Sequence, residues 1–76
     1  MKIRLIGSNG KEKQKIDEVV KTLECQASIE EISATDKTKY DIKYTPAIII
    51  ENVVISEGQE LSMNELKDVV YQFIET

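Results

Sequence analysis

The residues with the most chemical character stand early in the chain. Gly7, Ser8, Asn9 and Gly10, all turn formers, lead into lysines at alternate positions, Lys11, Lys13 and Lys15. A glycine-rich turn opening a helix can cradle an anion, because the first amides of a helix lack internal partners and carry partial positive charge. A nucleotide-binding loop is a poor fit, since the glycines are too closely spaced and no serine or threonine follows the lysine to hold magnesium. Two readings of these residues stay open. In one, an anion settles beside the helix-start amides and the three lysines, whose charge otherwise opposes the helix macrodipole. In the other, the lysines form a solvated cluster offset by Glu12 and Asp17.

The only thiol is Cys25, and the chain has no histidine. One cysteine rules out an internal disulfide, and zinc would need a shell of carboxylates around a lone thiolate, so neither a metal nor a cofactor is expected. A helix continued to residue 25 would turn this side chain about 180° from Ile16 and leave it partly exposed. There it offers a mixed disulfide or a dimer contact, or it is incidental.

Net charge of −4, with lysines and acids interleaved, argues against nucleic acid, which needs a basic face to displace counterions from phosphates. Seventy-six residues allow one domain and a small core, in a size range that buries roughly 60% of the unfolded surface. The opening MKIRLI is too short and charged for a secretory segment, and no apolar run approaches the roughly 20 residues of a membrane span. The expectation is a cytoplasmic protein, monomeric or weakly dimeric, without repeats or linkers.

Positioning falls to elements read from periodicity. Lys2 to Ile6 alternates and is rich in β-formers, which predicts a strand ending at Gly7. Ile16, Val19, Val20 and Leu23 recur at helical spacing, with Ser8 or Asn9 as cap and Asn9 with Glu12 resembling a capping box. Ala27 to Ser33 reads as an edge strand and Thr35 to Ile42 as a short helix with Tyr40 inward. Pro46-Ala47-Ile48-Ile49-Ile50 is a continuous apolar run, suited to a central strand covered on both faces. Glu51-Asn52 predicts a tight hairpin into Val53-Val54-Ile55, closed by Gly58. Ser62 to Glu65 is a capping box before a helix striped by Leu61, Leu66, Val69, Val70 and Phe73. The order is β-α-β-α-β-β-α.

The stretch KYDIKYTPAIIIENVVISEG places the only proline directly before the most apolar strand, where it demands a specific bend. A short helix, Thr-Pro, a β-branched strand, a tight turn, a second strand and Glu-Gly resemble the C-terminal half of the thioredoxin fold. The N-terminal half is similar in layout, and the size matches the short, glutaredoxin-sized thioredoxin-like proteins often called redox-active disulfide proteins. The resemblance covers nearly the whole chain. It implies an α/β fold with a four-stranded mixed sheet flanked by helices, the first and last on opposite or adjoining faces. It also implies a cis bond at Thr45-Pro46 facing the opening loop. Laid on that pattern, the two positions of the Cys-x-x-Cys motif fall on Gly10 and Lys13, with Lys11 and Glu12 between. Dithiol exchange needs an attacking thiolate and a resolving thiol, and these residues supply neither.

The expected function is therefore a non-redox binding module. Its groove would run between Asn9, Gly10, Lys11 and Lys13 on one side and Tyr44, Thr45 and Pro46 on the other. The resemblance implies backbone hydrogen bonding by Thr45 to an extended protein segment, and an exposed Tyr44 would suit a peptide, against the plainer reading of a ring lying over the sheet edge. A small anion is the other expected ligand. The enzyme alternative is a monothiol activity through Cys25, or a subunit completed by another redox protein. A third reading is an accessory protein that assembles through its exposed faces.

Overall fold

The computed structural model describes residues 1–8 and 10–75, with Glu75 described by its backbone alone. Strand β1 (Lys2–Ile6) leads to helix α1 (Lys11–Thr22) and strand β2 (Ser28–Ile32). A 3-10 helix (Ala34–Tyr40), strands β3 (Ala47–Ile50) and β4 (Val53–Glu57), and helix α2 (Met63–Glu75) follow. The sheet order is β2-β1-β3-β4, with β1 parallel to β2 and antiparallel to β3, and β3 antiparallel to β4. The sheet is thus mixed, with the expected edge strand β2 and the expected central strand β3, whose four residues are all buried.

Alternation along the two inner strands sorts their side chains onto two faces. Ile3 and Leu5 of β1 with Ile48 and Ile50 of β3 meet Ile16 and Val19 of α1 and Leu66 and Val70 of α2 in one buried cluster. Ile6, Ala47 and Ile49 point the other way and are covered by Ile42, Tyr40 and Ile32. Both long helices therefore lie on the same face, which corrects the expectation of opposite or adjoining faces. The reason is area. A seven-residue 3-10 helix with no buried residue of its own covers little, and the larger isoleucine-leucine face takes both amphipathic helices.

The local signals account for most element ends. At the hairpin, Glu51 and Asn52 have φ of 50° and 68°, the paired left-handed conformations of a type I′ turn. Ahead of α2 the Ser62 amide donates to Glu65 Oε1 at 3.0 Å, and the Glu65 amide to Ser62 Oγ at 3.2 Å, a complete capping box. The same bond to Ser62 holds the Glu65 carboxyl below the usual glutamate range. Helix α1 stops at Thr22, where Glu24 enters the left-handed region and the Cys25 amide donates to Val20 O at 3.0 Å. Cys25 is consequently off the helix, half-buried in the connection to β2.

Two caps differ from expectation. The 3-10 helix is capped by Ser33, whose Oγ accepts from the Thr35 amide at 3.3 Å, so the helix begins one residue before Thr35. At α1 the N-cap is Gly10, with φ of 90°, and the proposed cap Asn9 lies outside the described residues. The expected capping box of Asn9 with Glu12 likewise lies outside the described residues, while Glu12 itself is only 1% exposed and no described donor reaches either carboxyl oxygen. It sits four residues before Ile16, on the stripe that faces the core.

Candidate functional site

Gly7 ends β1 and bends the chain with φ of +67°, a conformation that L side chains rarely adopt. Its amide extends the β1–β2 ladder by donating to Ile32 O at 2.9 Å. A Cβ at Gly7 would lie 2.8 Å from Thr45 Cβ, 3.0 Å from Thr45 Cγ2 and 3.2 Å from Ala34 Cβ. The opening loop thus touches the loop before β3, and its backbone can come this close only because residue 7 has no side chain.

The second loop is held at several points. The Thr45-Pro46 peptide is cis. Glu57 Oε2 accepts from the amides of Lys43 at 2.6 Å and Tyr44 at 3.2 Å, and Lys37 Nζ donates to Lys43 O at 3.1 Å. The Gly58 amide donates to Pro46 O at 2.8 Å, and a Cβ on Gly58 would meet Tyr44 Cβ at 2.9 Å. With its backbone so fixed, Tyr44 projects outward and is 66% exposed.

The residues selected from sequence are therefore only partly brought together. Tyr44, Thr45 and Pro46 form one wall, but Gly7 makes the contact with it. Gly10 and Lys11 open α1, and a Cβ on Gly10 would meet nothing. The lysines diverge. Lys13 Nζ pairs with Asp17 Oδ2 at 3.1 Å along the helix, while Lys15 Nζ donates to Leu61 O at 3.3 Å in the segment before α2. Lys13 thus follows the reading in which it is offset by Asp17, and Lys15 joins neither an anion site nor a solvated cluster. The walls enclose no cavity among the described residues, leaving an open surface. Cys25 stands beyond the far end of α1, a 12-residue helix spanning about 18 Å.

Residues 57–61 were missing from the sequence reading of this region. Glu57 and Gly58 hold the proline loop, and the Leu61 carbonyl accepts from Lys15 of α1. Burial foremost, and then Glu60, push the Glu12 carboxyl above its ordinary value, and Lys15 opposes them. A sequence signal for Glu12 existed, since an acid one turn before Ile16 occupies a core-facing position. Among the described residues, no three histidine, cysteine, aspartate or glutamate side chains gather as a metal site would require, and no helix is long and apolar enough to cross a membrane.

No curated protein and no solved structure matches the chain. A family model described as a thioredoxin domain matches residues 1–71. That match spans both touching loops and every strand, and the chain has one cysteine: it belongs to the thioredoxin-domain family and carries its fold without a Cys-x-x-Cys motif.

Proposed function

We propose that this protein is a non-redox thioredoxin-like binding module that receives an extended protein segment across Tyr44, Thr45 and the start of α1. The observation that carries this reading is the close approach of Gly7 to Thr45, which keeps the two loops together with no thiol at either one. An extended segment suits the surface better than a compact ligand. Backbone groups and an exposed tyrosine give affinity along a strand-like peptide without needing an enclosed pocket. A small anion at the first amides of α1 is the secondary ligand, weakened by the engagement of Lys13 and Lys15 elsewhere. The working setting is the reducing cytoplasm, where an unpaired thiol is ordinary. A monothiol role for Cys25 finds no support in its distance from these loops.

The test is an amide-shift titration with inorganic phosphate, glutathione and a short acidic peptide, together with an insulin-type disulfide reduction assay. The expected result is joint movement of residues 10–13 and 44–46 with the peptide, weakened by salt, and no disulfide turnover. Dithiol-dependent turnover that persists in Cys25→Ser, or failure of every probe to move the two segments together, would refute the reading. Turnover abolished by Cys25→Ser would put the monothiol activity in its place.

A further inference from the structure

Five large apolar side chains stand exposed among the described residues, and Tyr44, at 66%, is the most exposed of them. The others lie in regular elements, Val53 and Val54 on β4 and Tyr71 and Ile74 on α2. Tyr44 alone lies in a loop, yet the backbone around it is tied down. Glu57 Oε2 accepts from the amides of Lys43 and Tyr44, Lys37 Nζ donates to Lys43 O, and the Gly58 amide donates to Pro46 O.

Residue 58 also meets the Tyr44 side chain. A Cβ there would lie 2.9 Å from Tyr44 Cβ and 3.6 Å from Tyr44 Cγ. Left-handed backbone favours glycine at this position, where φ is +78°, but Glu24, Asp41, Glu51 and Asn52 hold φ between 50° and 68° in the same chain. The hydrogen bond to Pro46 O needs only an amide. The close approach of Tyr44 is therefore a separate demand for a residue without a side chain. Fixing an exposed ring gains the fold no burial. It does remove in advance the ordering cost that a mobile side chain meets on binding. Tyrosine suits such a role, with a broad apolar body, two side-chain torsions and a hydroxyl that can stay in water.

We propose that Tyr44 is a preset anchor for an apolar side chain of the bound segment, and that Glu57 and Gly58 are the positioning residues that set it. This rests on the binding reading above and adds the partner's chemistry: an extended segment that lays an apolar side chain on the Tyr44 ring. Salt does not screen that contact, unlike a charge contact at the start of α1.

The experiment uses the full chain and two short peptides of equal length and charge, one alternating glutamate with leucine and the other glutamate with serine. In the free protein, NMR should show a single χ1 rotamer for Tyr44 and nuclear Overhauser contacts from its Hβ atoms to Gly58 Hα. The leucine peptide should shift the Tyr44 ring and the amides of 43–46, and bind at least about fivefold more tightly than the serine peptide, the ratio expected for one interface anchor. Tyr44→Ala should erase that ratio and leave Tm unchanged, because the ring is mostly in water. Gly58→Ala and Glu57→Ala should each weaken the leucine peptide, and neither should cost anything further in a Tyr44→Ala background, a coupling that a merely structural role does not produce. If Gly58→Ala fails to fold, Glu57→Ala carries the cycle. A Tyr44 averaged over rotamers in the free protein would overturn the anchor whatever the peptides do. So would a leucine peptide that moves 10–13 and 44–46 with no preference over serine, or a preference that survives Tyr44→Ala. A fixed Tyr44 with neither peptide moving either segment would refute the binding reading, and the anchor with it.

Discussion

Gly7→Ala probes the contact on which the site is built, and its cost has two separable parts. The first is conformational: at φ of +67° a side chain meets the following carbonyl, which costs about 1–2 kcal/mol. The second is steric. The new Cβ would sit 2.8 Å from Thr45 Cβ, well inside contact distance, and overpacking of this kind costs about 1–3 kcal/mol. The total, about 2–5 kcal/mol, is a large share of the roughly 4–11 kcal/mol expected for a chain of this length. Urea denaturation reads it directly, and Tm should fall by at least about 8 °C. A double-mutant cycle separates the parts. Thr45→Gly removes both Thr45 atoms nearest the new Cβ and should recover about 1–2 kcal/mol of the steric part. Thr45→Ser keeps the atom at 2.8 Å and should recover almost nothing. A cost for Gly7→Ala below about 1 kcal/mol, or equal coupling to both Thr45 substitutions, would refute the claim that the two loops are in contact through residue 7.

Glu57→Ala should release the amides of Lys43 and Tyr44, which both donate to one carboxylate oxygen. Hydrogen exchange at these two amides should accelerate, and stability should fall by about 1.5–3 kcal/mol, the range for hydrogen bonds to a charged group. Unchanged exchange at both would show that Glu57 does not hold the loop. Glu12→Gln should raise stability at neutral pH by about 1–2 kcal/mol, since a neutral amide replaces a buried carboxylate that lacks a donor. Because folding raises the Glu12 pKa, its favourable contribution is complete below the unfolded value and is lost as pH rises through the folded value. The advantage of glutamine should therefore open across that window and vanish in acid. A gain independent of pH, or no gain, would contradict the assignment.

What the sequence disclosed follows from what a local pattern can encode. Ile16 and Val19 reach the core, as does Val70, because a helical period fixes a face, and Ser62 with Glu65 caps α2 because both partners lie within one turn. Alternation in β1 and β3 likewise shows that both faces are apolar, but it does not say which helix covers which face. The placement of α2 beside α1 was illegible for that reason. Glu12 illustrates a different limit. Its letter reads as solvent-facing, while its position in the stripe, four residues before Ile16, reads as core, and burial decides for the second.

The lysines mark the same limit from the other direction. Three like charges at a helix start read as one cluster, yet side-chain length lets Lys13 reach down the helix to Asp17 and Lys15 reach across to Leu61 O. The proline loop has a further property that bears on function. Its geometry is set by Gly7, Glu57, Gly58 and Lys37, none of which lies in residues 10 to 13 at the start of α1. The steric fit of Gly7 to Thr45 and the anchoring of the Lys43 and Tyr44 amides are thus independent of whether residues 10 and 13 are cysteines. Removing the thiols from such a site removes its electron chemistry and leaves the shape and the backbone arrangement in place.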